Sequence, residues 1–223
     1  MDGMSTRNKT RALKKYEAAP TAVSQDNGDP PLALYSPFGP LIAKTEVATD
    51  LVDRINQYAD QHIRPDIGTE FLLPRELVFD GGKNSLMMQT EQLIRRYLRL
   101  VDEPADVRIR IDIFWIVSQY EGTPSPVHFH SGDISGVLYL KVPQLDHEED
   151  EALKTYISGR QAGYINFLIG GKQRFSKSLI SFRPHVGGFY IFPGWLLHGA
   201  EPFRGTGERR SLAFNAHVEA EPD

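Results

Sequence analysis

The most regular stretch of the chain starts at Val107, where Val107, Ile109, Ile111 and Ile113 alternate with Arg108, Arg110 and Asp112 before the run turns wholly apolar through Phe114, Trp115, Ile116 and Val117. A period of two in β-branched and aromatic residues predicts a strand. Shorter segments of the same character occupy residues 135–142, 164–169, 179–183, 188–192 and 211–217, with Gly and Pro turns between them. Upstream the period changes: Val47, Leu51, Ile55, Tyr58 and His62 recur at steps of three and four, which predicts an amphipathic helix. Past the breakers Asp80, Gly81 and Gly82, either Asn84 or Ser85 can cap a second helix whose apolar stripe is Leu86, Leu93, Tyr97, Leu100 and Val101. Between residues 32 and 44 the apolar run is broken by Pro37, Gly39 and Pro40, which predicts one short edge strand. Helices followed by many strands argue for an α+β fold, a rolled antiparallel sheet backed by the N-terminal helices.

Length and composition bound this picture. With 223 residues and 40% hydrophobic content, one sizeable core is expected, so residues 31–223 are read as a single domain. Residues 1–30 carry five Lys or Arg before Tyr16 and end in breakers; they bury too little to offset ordering entropy and are expected to form a mobile or docked polar arm, with a homodimer one way to dock it. A net charge of -4 gives no general attraction to phosphate backbones, so no nucleic-acid partner is expected. Cysteine is absent, which restricts any metal to His, Asp or Glu ligands and suits a reducing compartment. No apolar run approaches the roughly 20 residues of a spanning helix, so a cytoplasmic location without a membrane partner is expected. Residues 144–162, rich in Asp and Glu, separate two predicted strands and are long enough to serve as a lid or a solvated turn.

The candidate chemistry lies in three places. His128 and His130 are two apart, so on an extended segment both imidazoles leave one face. His198 follows an apolar strand and a second turn, at the end of the run from Gly187. Arg209 and Ser211, again two apart, share a face of the last strand, where a guanidinium fork and a hydroxyl could grip a carboxylate. Nitrogen ligands from separate strands beside a fixed cation suit a metal centre that also holds an acidic cosubstrate.

The order HxH (His128-Phe129-His130), SGVLYL from Ser135, FPGWLLH ending at His198 and ERRSLAFN from Glu208 resembles the 2-oxoglutarate- and Fe(II)-dependent oxygenases, above all bacterial and phage members with an HxH motif. The likeness runs from about Phe114 to Asn215. It implies a double-stranded β-helix, the jelly-roll or cupin-like barrel, with His128 and His198 as iron ligands, Arg209 and Ser211 on the far carboxylate of 2-oxoglutarate, and the Tyr139 hydroxyl at the same carboxylate. It further implies O2 as co-reactant and hydroxylation of a small-molecule or peptide substrate with release of succinate and CO2. The sequence departs from that family where its usual HxD has become HxH. Either His130 completes a three-histidine site, which the retained spacing favours, or Asp133 supplies the anion while His130 supports it.

Two other classes fit parts of the pattern. A three-histidine cupin-type metalloenzyme that does not use 2-oxoglutarate would leave Arg209 and Ser211 unexplained, and a non-catalytic binding module on the same barrel would leave the histidines empty. Phe129, Phe192 and Trp195 could screen the site or simply pack. His185 and His217 are expected to be structural, His62 and His147 to be exposed, and Asn166 and Asn215 are weak candidates for substrate contacts.

Overall fold

The computed structural model describes residues 22–24, 30–35, 39–64, 69–104, 106–123, 125–145, 162–170 and 177–219. Three antiparallel strands come first: β1 (Ala22–Ser24), β2 (Leu32–Tyr35) and β3 (Ile42–Glu46). Helix α1 (Thr49–Ala59), strand β4 (Thr69–Leu72), the short helix α2 (Arg75–Phe79) and helix α3 (Leu86–Leu100) follow. The rest is β-structure: β5 (Arg108–Gln119), β6 (Ser125–His128), β7 (Ile134–Lys141), β8 (Gln144–Leu145), β9 (Ile165–Leu168), β10 (Leu179–Phe182), β11 (Gly188–Pro193), β12 (Leu197–Ala200), β13 (Gly205–Thr206) and β14 (Arg209–Glu219).

Eight strands form one sheet in the order β1-β2-β3-β11-β7-β14-β5-β4, and four form a second in the order β10-β9-β12-β6. All pairings in both are antiparallel. The two sheets are the walls of a double-stranded β-helix, and the fold is α+β as expected. Period-two alternation gives each strand of the large sheet two different faces. Leu138 and Leu140 of β7, Phe189 and Ile191 of β11, and Leu212 and Phe214 of β14 pack with Leu51, Ile55, Ile94 and Leu98 of α1 and α3. The intervening Tyr139, Tyr190 and Phe192 turn inward and pack with Ile165, Phe167, Ile180 and Phe182 of the small sheet. Burying both faces is what makes the large sheet the rigid wall of the site.

Ser85 caps α3, its hydroxyl accepting a hydrogen bond from the Met88 N–H at 3.3 Å, as the sequence pattern anticipated. The expected single edge strand between residues 32 and 44 is instead two strands, β2 and β3. Pro37 and Pro40 fall between them, and β3 lies inside the sheet, flanked by β2 and β11. Part of the polar N-terminal segment is also a strand, β1, paired with β2; residues 1–21 and 25–29 lie outside the described residues. So does most of the acidic segment, 146–161, of which the flanking β8 pairs with β13. No helix among the described residues is long and apolar enough to cross a membrane.

Candidate active site

Strand pairing brings the distant histidines together. In the small sheet β12 runs antiparallel to β6 with His198 directly opposite His128. The strand β6 ends at His128, and His130 is placed by the turn that follows. There the His130 N–H donates to the Gly194 carbonyl at 2.8 Å and the Gly194 N–H donates to the Asp133 carbonyl at 2.9 Å. The two turns are so close that a Cβ on Gly194 would lie 2.0 Å from the Gly132 carbonyl oxygen, which only glycine avoids. The result is a cluster in which one ring nitrogen each of His128, His130 and His198 lie within 4.8 Å of one another.

Two of the rings are held in a defined tautomer. Nδ1 of His128 lies 2.8 Å from the Pro126 carbonyl and Nδ1 of His198 lies 2.8 Å from the Leu196 carbonyl. A carbonyl can only accept, so each Nδ1 carries the proton and Nε2 keeps its lone pair for a cation. Phe167 and Phe192 pack on the His198 ring at centroid distances of 6.1 and 4.7 Å. Burial among these aromatics, reinforced by the neighbouring imidazoles, lowers the His198 pKa to about 4, and burial with His128 nearby lowers that of His130. Neutral imidazole donors from three positions fit a divalent first-row metal.

The lowered His198 pKa has a measurable consequence for the metal-free protein. The unfolded chain takes up a proton near pH 6.5 whereas the folded site resists until about pH 4, so this contribution to stability is complete above the unfolded pKa and is lost as pH falls between the two. Unfolding free energies from urea titrations should fall between pH 7 and pH 5 by on the order of 2 kcal/mol, and His198→Phe should flatten that slope. An equally steep slope in the variant would place its origin elsewhere.

Across the cavity from the histidines stands Arg209. It is 1% exposed, and its side chain enters the barrel because β14 alternates: Arg209, Ser211 and Ala213 face inward while Arg210, Leu212 and Phe214 face the helices. Gln119, its direct cross-strand neighbour on β5, accepts from Nε at 3.0 Å and from Nη2 at 2.7 Å. The main-chain carbonyl of Glu201 accepts from Nη1 at 2.7 Å. Among the described residues no carboxylate oxygen lies within ion-pair distance of this guanidinium. Tyr139 sits opposite Ser211 in the β7–β14 pairing, and burial raises its pKa to about 12 against the pull of Arg209, so its hydroxyl stays a proton donor. Arg209, Ser211, Tyr139 and the three histidines line one cavity with Trp115, Val117 and Gly136.

Asp133 does not join them. Its carboxylate accepts from the Val218 N–H at 2.9 Å and lies 3.6 Å from Nδ1 of His217, and Asp133 is not among the residues that line the cavity. The alternative in which Asp133 supplies the anion is therefore not the arrangement found, and Asp133→Asn should leave metal affinity unchanged within about twofold in a competition titration. His217 is engaged with Asp112 at 3.0 Å and His185 with Glu46 at 3.2 Å; His62 is exposed, stacked on Tyr58, and His147 lies outside the described residues. Asn166 is taken up by Glu201 and Ser181, and Asn215 by Ser135. Phe192 packs on His198, but Phe129 and Trp195 are 64% and 54% exposed, so neither screens the cavity nor fills the core. The residue that sequence reading missed is Gln119. Its only signal was a polar residue ending an apolar strand, and its partner lies 90 residues away.

Residues 113–215 match the family model described as Putative 2OG-Fe(II) oxygenase. No curated protein matches the chain. Among solved structures, the viral collagen prolyl hydroxylase vCPH of Paramecium bursaria Chlorella virus-1, in its 2-oxoglutarate complex, is similar with 13% identity and a TM-score of 0.50, covering 81% of this chain and 96% of that one. HygX from Streptomyces hygroscopicus, with nickel, 2-oxoglutarate and hygromycin B bound, is similar with 12% identity and a TM-score of 0.51, covering 81% of this chain and 83% of that one. Identities this low speak for the fold alone. The matched segment contains every histidine of the cluster together with Tyr139, Arg209 and Ser211, so the similarity to the 2-oxoglutarate- and Fe(II)-dependent oxygenases takes in the whole candidate site.

Proposed function

We propose that this chain hydroxylates a small-molecule or peptide substrate, with His128, His130 and His198 holding the iron and Arg209, Ser211 and Tyr139 holding the far carboxylate of 2-oxoglutarate. The observation that carries the reading is Arg209: a buried cation surrounded by neutral acceptors and opening onto the same cavity as three neutral imidazoles. Leaving such a charge uncompensated is costly, and a dicarboxylate bound between it and a metal removes the cost.

Iron and 2-oxoglutarate, when bound, supply the oxidising chemistry, in which O2, substrate and 2-oxoglutarate yield hydroxylated substrate, succinate and CO2. The protein's part is positional. Carbonyls of Pro126 and Leu196 fix two imidazoles with Nε2 forward. The Tyr139 hydroxyl and the Arg209 fork donate to the carboxylate and so set the angle at which the keto acid enters. Phe167 and Phe192 exclude water from the His198 side. Three neutral ligands make the site one charge more positive than a pair of histidines with a carboxylate, which favours retention of a dianion.

An anaerobic titration tests the reading. Stoichiometric Fe(II) should bind, 2-oxoglutarate should bind the iron-loaded protein far more tightly than the metal-free one, and admission of O2 should yield succinate. Iron uptake without any binding of 2-oxoglutarate would reject it in favour of a three-histidine enzyme of another kind.

A further inference from the structure

Two adjacent arginines of β14 are buried to the same 1% exposure and are treated in opposite ways. Arg210, on the helix face, is neutralised: Glu208 accepts from its Nε and Nη2 at 2.7 and 2.8 Å, and Asp60 accepts from Nη2 at 2.8 Å. Arg209, on the cavity face, is held just as firmly but by an amide oxygen and main-chain carbonyls. The amide belongs to Gln119, which stands directly opposite Arg209 in the β14–β5 pairing and takes both Nε and Nη2 on a single oxygen. A glutamate has nearly the same shape and could make the same two contacts. It would also cancel the charge.

We propose that Gln119 is the positioning residue that fixes the cosubstrate's charge class: its neutral oxygen aims the Arg209 fork while keeping the guanidinium's charge available for a dicarboxylate keto acid. This rests on Arg209 being the anchor for the far carboxylate. Both bonds fall on one neutral oxygen, which orients the fork without the opposing charge of a two-oxygen carboxylate clamp. Gln119 holds Nε and Nη2 and main-chain carbonyls hold Nη1, so the arginine loses little rotamer freedom when a ligand arrives, and the ligand meets a buried positive charge with no carboxylate in ion-pair contact among the described residues. A carboxylate at position 119 would sit beside the incoming anion and oppose it.

The test uses full-length protein loaded with Mn(II), calorimetric titration with 2-oxoglutarate, and succinate formation by the iron-loaded enzyme with an added two-electron reductant taking the place of the substrate. Gln119→Glu should weaken 2-oxoglutarate binding and raise its KM by about tenfold or more, with kcat at saturating cosubstrate and Mn(II) affinity unchanged. Gln119→Met, which keeps the volume and removes the acceptor, should raise KM by about fivefold through lost orientation. Arg209→Met serves as the control for the underlying reading. If it weakens 2-oxoglutarate binding and Gln119→Glu does not, the role given to Gln119 is wrong and the anchor stands; if Arg209→Met itself changes nothing, the anchor is wrong. Should Gln119→Glu fail to fold, Gln119→Met decides: a raised KM at unchanged kcat sustains the proposal, and an unmoved KM overturns it.

Discussion

His198→Ala is expected to reduce succinate formation to background and to weaken Mn(II) or Fe(II) binding by at least about a hundredfold, a loss larger than that typical of outer-shell changes. Of the three imidazoles, His198 is the buried one, its Nδ1 proton committed to Leu196 and its ring wedged between Phe167 and Phe192. Among the described residues no fourth His, Asp or Glu joins the cluster, and alanine leaves a cavity beside two aromatic rings. The fold should survive, because the adjoining strands keep their main-chain pairing with β6 and β9. Metal affinity measured against a competing chelator, alongside a far-ultraviolet spectrum, separates the two effects. Retention of tight metal binding in a folded His198→Ala protein would mean that the ion sits elsewhere.

Arg209→Met carries the second large effect. Charge-assisted hydrogen bonds to a buried carboxylate contribute about 1.5–3 kcal/mol each, so removing the fork should weaken 2-oxoglutarate binding by roughly a hundredfold or more. Metal binding should be intact, since the guanidinium supports none of the histidines. Stability could even rise, because methionine removes a buried cation that has no carboxylate partner among the described residues. Calorimetry with Mn(II)-loaded protein reads the affinity directly, and an unchanged affinity would refute the role given to this residue.

The legible part of this protein was whatever depends on neighbours in sequence. The alternation from Val107 to Val117, the steps of three and four along α1, and the Ser85 cap each report local geometry, and each became the element expected. The Arg209–Ser211 pair was visible for the same reason, since a spacing of two on a strand fixes a common face; the HxH pair was visible by its spacing, but only His128 lies in a strand and the turn that follows places His130. What was hidden depends on register between distant strands. Nothing near Gln119 announces that it faces Arg209, and nothing in the turn after His130 says that Asp133 will accept from Val218 rather than face the histidines. The strand pair β2 and β3 was merged because prolines that spoil one strand can equally well separate two. The short elements β4 and α2 escaped because four or five residues carry too little periodicity to detect.

The paired arginines bear on how the closing strand finds its place during folding. Slipping β14 by a single position against its neighbours would carry Arg210 into the barrel, away from Glu208 and Asp60, and would press Arg209 among the leucines and phenylalanines beneath α1 and α3. The slip costs the Arg210 pairs and sets the Arg209 charge among apolar side chains, so one misthreading carries two penalties. The last strand thus proofreads its own alignment, and a molecule that has closed its barrel correctly has, by the same act, armed its cavity.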